Sequence, residues 1–137
     1  MASLQSRLND LIVALGADFK LDTVPFIFSS AGAQTVKTGV SKVPLLGSGT
    51  IVAVKGYLNT APTGATFIVD VNKNGTTIFG TQANRPTWSI SANAATVGAL
   101  SVTTFAANDV LSVDVDQIGS TVAGSDLTVV VYCLRTS

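Results

Sequence analysis

The hydrophobic pattern changes period once along this chain. Leu4, Leu8, Leu11 and Leu15 are spaced four, three and four residues apart, which lines them up on one side of an α-helix. Ile12 widens that stripe, while Arg7, Asn9 and Asp10 lie off it. Ser3 stands where a side-chain oxygen can cap the first turn, Gly16 weakens or ends the helix, and Phe19 can extend the contact beyond it. After Lys20 the helical spacing stops. Val, Ile, Thr and Phe dominate, punctuated by Gly, Pro and Asn, which is strand grammar. Strands are predicted at 24–29, 34–38, 50–58, 66–72, 76–80, 87–90, 99–104, 110–117 and 126–134. In two of them the alternation is clear. Phe67, Val69 and Val71 face one way, with Ile68, Asp70 and Asn72 opposite; Leu111, Val113 and Val115 face in, with Ser112, Asp114 and Asp116 out. Asn74-Gly75 marks a hairpin turn between the strands at 66–72 and 76–80.

No helical stretch separates these strands, so parallel βαβ units are not expected. The fold class predicted is all-β: an antiparallel, jelly-roll-like β-sandwich preceded by a short N-terminal α-helix. Residues 1–20 form an oligomerisation or docking helix and residues 21–137 the sandwich domain. A helix of this length is marginal in water and must lean on something. Its leucines can pack on the chain's own sandwich, form a bundle with identical chains, or insert into another protein. The docking residues are then Leu4, Leu8, Leu11, Ile12 and Leu15.

Composition sharpens this. Hydrophobic residues make up 47% and charged residues only 12%, about half the usual charged share, so much of the surface is meant for partners. Membrane insertion is not expected, because no apolar run approaches the roughly 20 residues of a spanning helix. Leu11-Ile12-Val13-Ala14-Leu15 is too short for a convincing signal sequence, so general secretion is not expected either. Net charge is zero and the cations are scattered, which argues against a nucleic-acid partner. The lone Cys133 sits among Val131, Tyr132 and Leu134 and reads as a buried small apolar residue.

Two residue types are missing: the chain has neither His nor Glu. Ser-His-Asp triads, Cys-His pairs, His-ligated metals and Glu-based glycosidases are therefore excluded. An aspartate-only enzyme is the remaining catalytic option, and no constellation for one is visible, so the chain is read as a non-enzyme without cofactors. Asp70-Val71-Asn72-Lys73-Asn74-Gly75 matches the front of a calcium loop, but the twelfth position is Thr81 where a bidentate Glu belongs, and strands flank the loop. Asp114, Asp116 and Asp126 can likewise accept hydrogen bonds without any cation, and no metal site is assigned. Trp88, if exposed, can stack on a sugar or anchor a partner; buried, it is core. Together with the turns around Asn74 and Asn93 it forms the candidate ligand or partner contact.

From Gly49 onward the chain resembles a β-domain that recurs in tailed-phage virion proteins of the fibre, tail-tip and head-decoration type. The residues carrying the likeness begin with Gly49-Thr50-Ile51-Val52-Ala53-Val54 and Thr60-Ala61-Pro62-Thr63-Gly64-Ala65. They continue through Phe67-Ile68-Val69-Asp70-Val71-Asn72-Lys73-Asn74-Gly75-Thr76-Thr77-Ile78-Phe79 and Thr81-Gln82-Ala83-Asn84-Arg85-Pro86. They end in Leu111-Ser112-Val113-Asp114-Val115-Asp116-Gln117-Ile118-Gly119-Ser120 and Ala123-Gly124-Ser125-Asp126-Leu127-Thr128-Val129. The resemblance implies a jelly-roll-like sandwich, a homotrimer, a place on the virion after assembly in the host cytoplasm, and contact with capsid or tail proteins. It supplies no catalytic residues. The family domain often ends a long chain, whereas here a short helix precedes it. That favours a small spike, head fibre or capsid decoration over a long tail fibre. The alternative function is a receptor-binding tail module that recognises a host surface glycan or protein.

Overall fold

In the computed structural model the described residues are 3–14 and 23–136, with side chains described for 3–10 and 23–136. Helix α1 spans Leu4–Ala14. The Ser6 amide donates to Ser3 Oγ at 3.1 Å, so Ser3 caps the helix as its sequence position suggests. Leu15, Gly16, Phe19 and the boundary at residues 20–21 lie outside the described residues.

The strands are β1 (Val24–Ala33), β2 (Lys42–Pro44), β3 (Gly49–Thr60), β4 (Phe67–Lys73), β5 (Thr76–Thr77), β6 (Thr87–Trp88), β7 (Thr104–Phe105), β8 (Val110–Gln117) and β9 (Ser125–Arg135). One sheet has the order β1-β9-β3-β7. The other has the order β2-β8-β4-β5, with β6 also pairing with β4. All pairings are antiparallel. Strands adjacent in sequence thus fall mostly on opposite sheets, and partners within a sheet come from distant parts of the chain. This is the double Greek key of a jelly roll, and the predicted fold class holds.

Alternation builds the core. Leu127, Val129, Val131 and Cys133 of β9 point inward with Phe28, Ile51, Val54 and Leu58. Phe67, Val69 and Val71 of β4 and Leu111, Val113 and Val115 of β8 meet them from the second sheet. The Asn74-Gly75 turn takes positive φ at both residues, 52° and 81°, as a tight hairpin requires.

The strands expected at 76–80 and 87–90 end at Thr77 and Trp88, and three further expectations shift. The stretch 34–38 is not a strand; it touches β8 only through the Lys37–Val115 bridge. Strand β2 was not predicted, because three residues ending in Pro44 carry no alternation to read. The strand expected at 99–104 shrinks to Thr104–Phe105. Its earlier amides are spent elsewhere: Ser101 and Val102 both donate to the Ile78 carbonyl, at 2.8 and 3.2 Å.

Trp88 is core. It is 0% exposed, stacks edge-on against Phe67 with ring centroids 5.2 Å apart, and donates its indole N–H to the Asn93 carbonyl at 2.9 Å. Its place as an exposed contact is therefore corrected: the ring fills the space between sheets and its polar edge is already satisfied.

Two outcomes follow from this packing. A Cβ on Gly56 would lie 2.5 Å from the Trp88 ring. Gly56→Ala is expected to cost about 1–3 kcal/mol in a urea titration, the range for overpacking a filled core. Burial pushes the Cys133 thiol up to about 11. At pH 8 its alkylation by iodoacetamide is expected to run more than about tenfold slower in the folded protein than in urea, followed by mass spectrometry.

Candidate functional site

Two outward surfaces qualify, and they differ in kind. The first is the outer face of the second sheet, where Asp70 sits opposite Asp114 and Asn72 opposite Ser112. Like charges directly opposite each other repel. Each carboxylate is therefore tied down separately. Asp114 accepts from the Gly39 amide at 2.6 Å and from Asn72 Nδ2 at 2.9 Å. Asp70 accepts from the Thr77 hydroxyl at 2.6 Å. A bulge at Asp116, between the Ile68–Gln117 and Val69–Val115 pairs, sets that carboxylate against Arg85, with which it forms an ion pair. Asp70, Asn72 and Ser112 are buried, although alternation predicted a solvent-facing row. The segment 37–44 and the turn after β5 cover them.

Where that cover stops, a cleft of about 440 Å³ opens, lined by Thr38, Gly39, Lys42, Asn72, Ser112 and Asp114, with Asn74 at its rim. It offers one cation, one carboxylate and several amides and hydroxyls, and no aromatic ring. Among the described residues no group of three His, Cys, Asp or Glu side chains is placed to hold a metal ion.

The predicted contact residues in the turns carry structural duties. Asn74 Nδ2 donates to Asp109 Oδ1 at 2.9 Å, and Asn74 Oδ1 accepts from the Val110 amide at 2.9 Å. The Ala106 amide, then the Asn74 side chain, hold the Asp109 carboxyl below its ordinary value. Asn93 donates to the Leu58 and Asn59 carbonyls at 2.8 and 3.0 Å, which pins its loop to β3. The structure does not bring Asn74, Asn93 and Trp88 to one site: Trp88 is interior, Asn74 lines the cleft at the second sheet, and Asn93 is bonded to β3 of the first.

The second surface is apolar. Leu4 is 83% and Leu8 48% exposed, and neither joins the core. The backbone of Leu11 and Ile12 continues the helix, but their side chains lie outside the described ones. On the first sheet the outward residues form rows across the strands: Pro25, Tyr132 and Ala53; Ile27, Val130 and Lys55; Ser29, Thr128 and Tyr57. Ile27 is 61% and Tyr57 52% exposed. A shallow apolar depression of about 240 Å³ lies between Tyr57, Ala94, Thr128 and Val130. The sequence carried a signal for this face. The run Leu127-Thr128-Val129-Val130-Val131-Tyr132 is apolar on both sides of a strand, and only one side is used by the core.

Burial, then the neighbouring Asp116, raise the Asp70 carboxyl above its ordinary value, against the pull of Thr77 and Arg85. Folded Asp70 thus holds its proton to higher pH than the unfolded chain does. Its contribution to stability is most favourable below the unfolded pKa and falls as pH rises through the folded one. Asp70→Asn, which can still accept from Thr77, is expected to raise the urea midpoint at pH 7. The difference from wild type should close below about pH 4. Comparison with protein-family models, with curated proteins and with solved structures returns no match for this chain.

Proposed function

We propose that this chain is a non-catalytic structural protein of a tailed-phage particle, a small spike, head fibre or capsid decoration that assembles with copies of itself and docks on the particle surface. The observation that carries the reading is the pair of exposed leucines on α1, Leu4 and Leu8, in a chain with only 12% charged residues. A capped helix whose described leucines, Leu4 and Leu8, take no part in the core is built to meet another surface. The jelly-roll connectivity and the phage-domain resemblance from Gly49 onward support the same role. The trimeric number comes from that resemblance alone.

The second reading, a receptor-binding module for a host glycan or protein, draws support from the polar cleft beside Lys42 and Asp114. It ranks below the first because the cleft has no aromatic side chain on which a sugar ring could stack.

Light scattering on the full chain and on a Leu4→Asn/Leu8→Asn variant separates these readings. The expected result is an oligomer for the full chain and a monomer for the variant, with loss of binding to particles that lack the protein. A full chain that is monomeric and ignores such particles would remove the structural reading.

A further inference from the structure

Among the described residues, Ile27 and Tyr57 on the outer face of the β1-β9-β3 sheet are exposed, with Ala94 alongside Tyr57. We infer that this face, centred on Ile27, Val130 and Tyr57, is where a second copy of this chain seats, completing the contact begun by α1. The inference rests on the self-assembling reading above and adds the surface through which it operates.

Three observations point to a copy of the same chain. The first is area. Helix α1 has 11 residues, and a helix that short is marginal by itself. The two described leucines, Leu4 and Leu8, fall well short of the roughly 800 Å² per partner of a stable interface. The helix therefore needs a second contact of comparable size. Three strands about 4.8 Å apart, over about six residues at about 3.4 Å each, give a flat area near 300 Å² before side-chain relief is counted.

The second observation is continuity. Strand β1, which supplies Pro25 and Ile27, is the first strand after α1. Nine peptide units separate Ala14 from Thr23, so the link spans at most about 30 Å. Copies joined by their helices have these faces held at high local concentration.

The third observation is the strand edge. Strand β1 is the outermost strand of its sheet and has no charged residue in its ten positions. Proteins ordinarily guard a long free edge with Lys, Pro, inward charges or bulges, or cover it; on β1 these devices are Pro25 and the bulge between Ser30 and Ala33, which leave Phe26 to Ser29 without a charge. Beside it, the face carries a single charge in its three rows, Lys55, on β3 and away from the β1 edge. Two copies can thus bury Ile27 and Val130 while the Lys55 ammonium stays in water.

The test compares the mass of the full chain and of an Ile27→Asp/Tyr57→Asp variant over a dilution series by light scattering. Trp88 emission reports whether the sandwich is intact. The expected result is an oligomeric wild type and a folded variant whose self-association is at least about tenfold weaker, since charges are depleted from interface cores. A folded variant with wild-type mass at every dilution overturns the inference and leaves the helix reading standing. So does a variant that keeps its mass but no longer binds particles lacking the protein, for the face then belongs to the particle. A wild type that is monomeric throughout overturns both. If the Asp variant shows red-shifted Trp88 emission, Tyr57→Ser/Val130→Thr, which keeps residues that strands tolerate, is read by the same criteria.

Discussion

Strand β9 is the constraint on which the sandwich depends. It lies between β1 and β3, so the first sheet forms only when residues from the two ends of the described β-region meet. Its inward side chains, Leu127 to Cys133, then supply one wall of the core. Such pairing closes long loops before it rewards them, which places folding among the slower, non-local topologies. Phe67, Val69 and Val113 of the second sheet pack into the same core, where the inward side chains of β9 join Phe28, Ile51, Val54 and Leu58 of β1 and β3. Trp88 completes the arrangement: it crosses from β6 toward Gly56 of the opposite sheet, where the missing side chain leaves room for its ring.

Each sheet of a sandwich has two faces, and only one is consumed by the core. This chain resolves the other face in opposite ways. Behind β4 and β8 the polar row is roofed by its own loops, and its carboxylates are held apart by Gly39, Asn72, Thr77 and Arg85. That arrangement is expensive in hydrogen-bond geometry and cheap in partners, since nearly all its needs are met internally. Behind β1, β9 and β3 the outward residues are mostly apolar, with Lys55 the one charge in their three rows, and Ile27 and Tyr57 remain open. The low charge of the sequence shows in this face and in the helix stripe, and also in exposed apolar side chains elsewhere, at Val36, Leu46, Ile90 and Val122.

Much of the fold was legible where local pattern and tertiary role agree. The inward sets Phe67, Val69, Val71 and Leu111, Val113, Val115 were visible as alternation, and Asn74-Gly75 as a turn, because period and turn chemistry act locally. Legibility failed where a segment's partner is remote. The short β2 exists because Val110 to Ser112 offer it an edge, and the 99–104 stretch is claimed by Ile78 and Asn84. Neither fact is written in the segments themselves. The candidate site divides the same way. Leu4 and Leu8 were readable from helical spacing. The apolar face was legible only in part: the run Leu127 to Tyr132 is apolar on both sides of its strand, but Ile27 looks the same in sequence whether its strand is covered or bare. Trp88 was open to both readings, and the depth of the sandwich decides it.

The single cysteine bears on where such a protein can travel. Cys133 is buried in the central strand of its sheet, and the fold holds together by packing and hydrogen bonds, with no disulfide. Its covalent structure is therefore the same in a reducing cell interior and in an oxidising external medium. A chain passing from one to the other would carry this domain across without any thiol being gained, lost or exchanged.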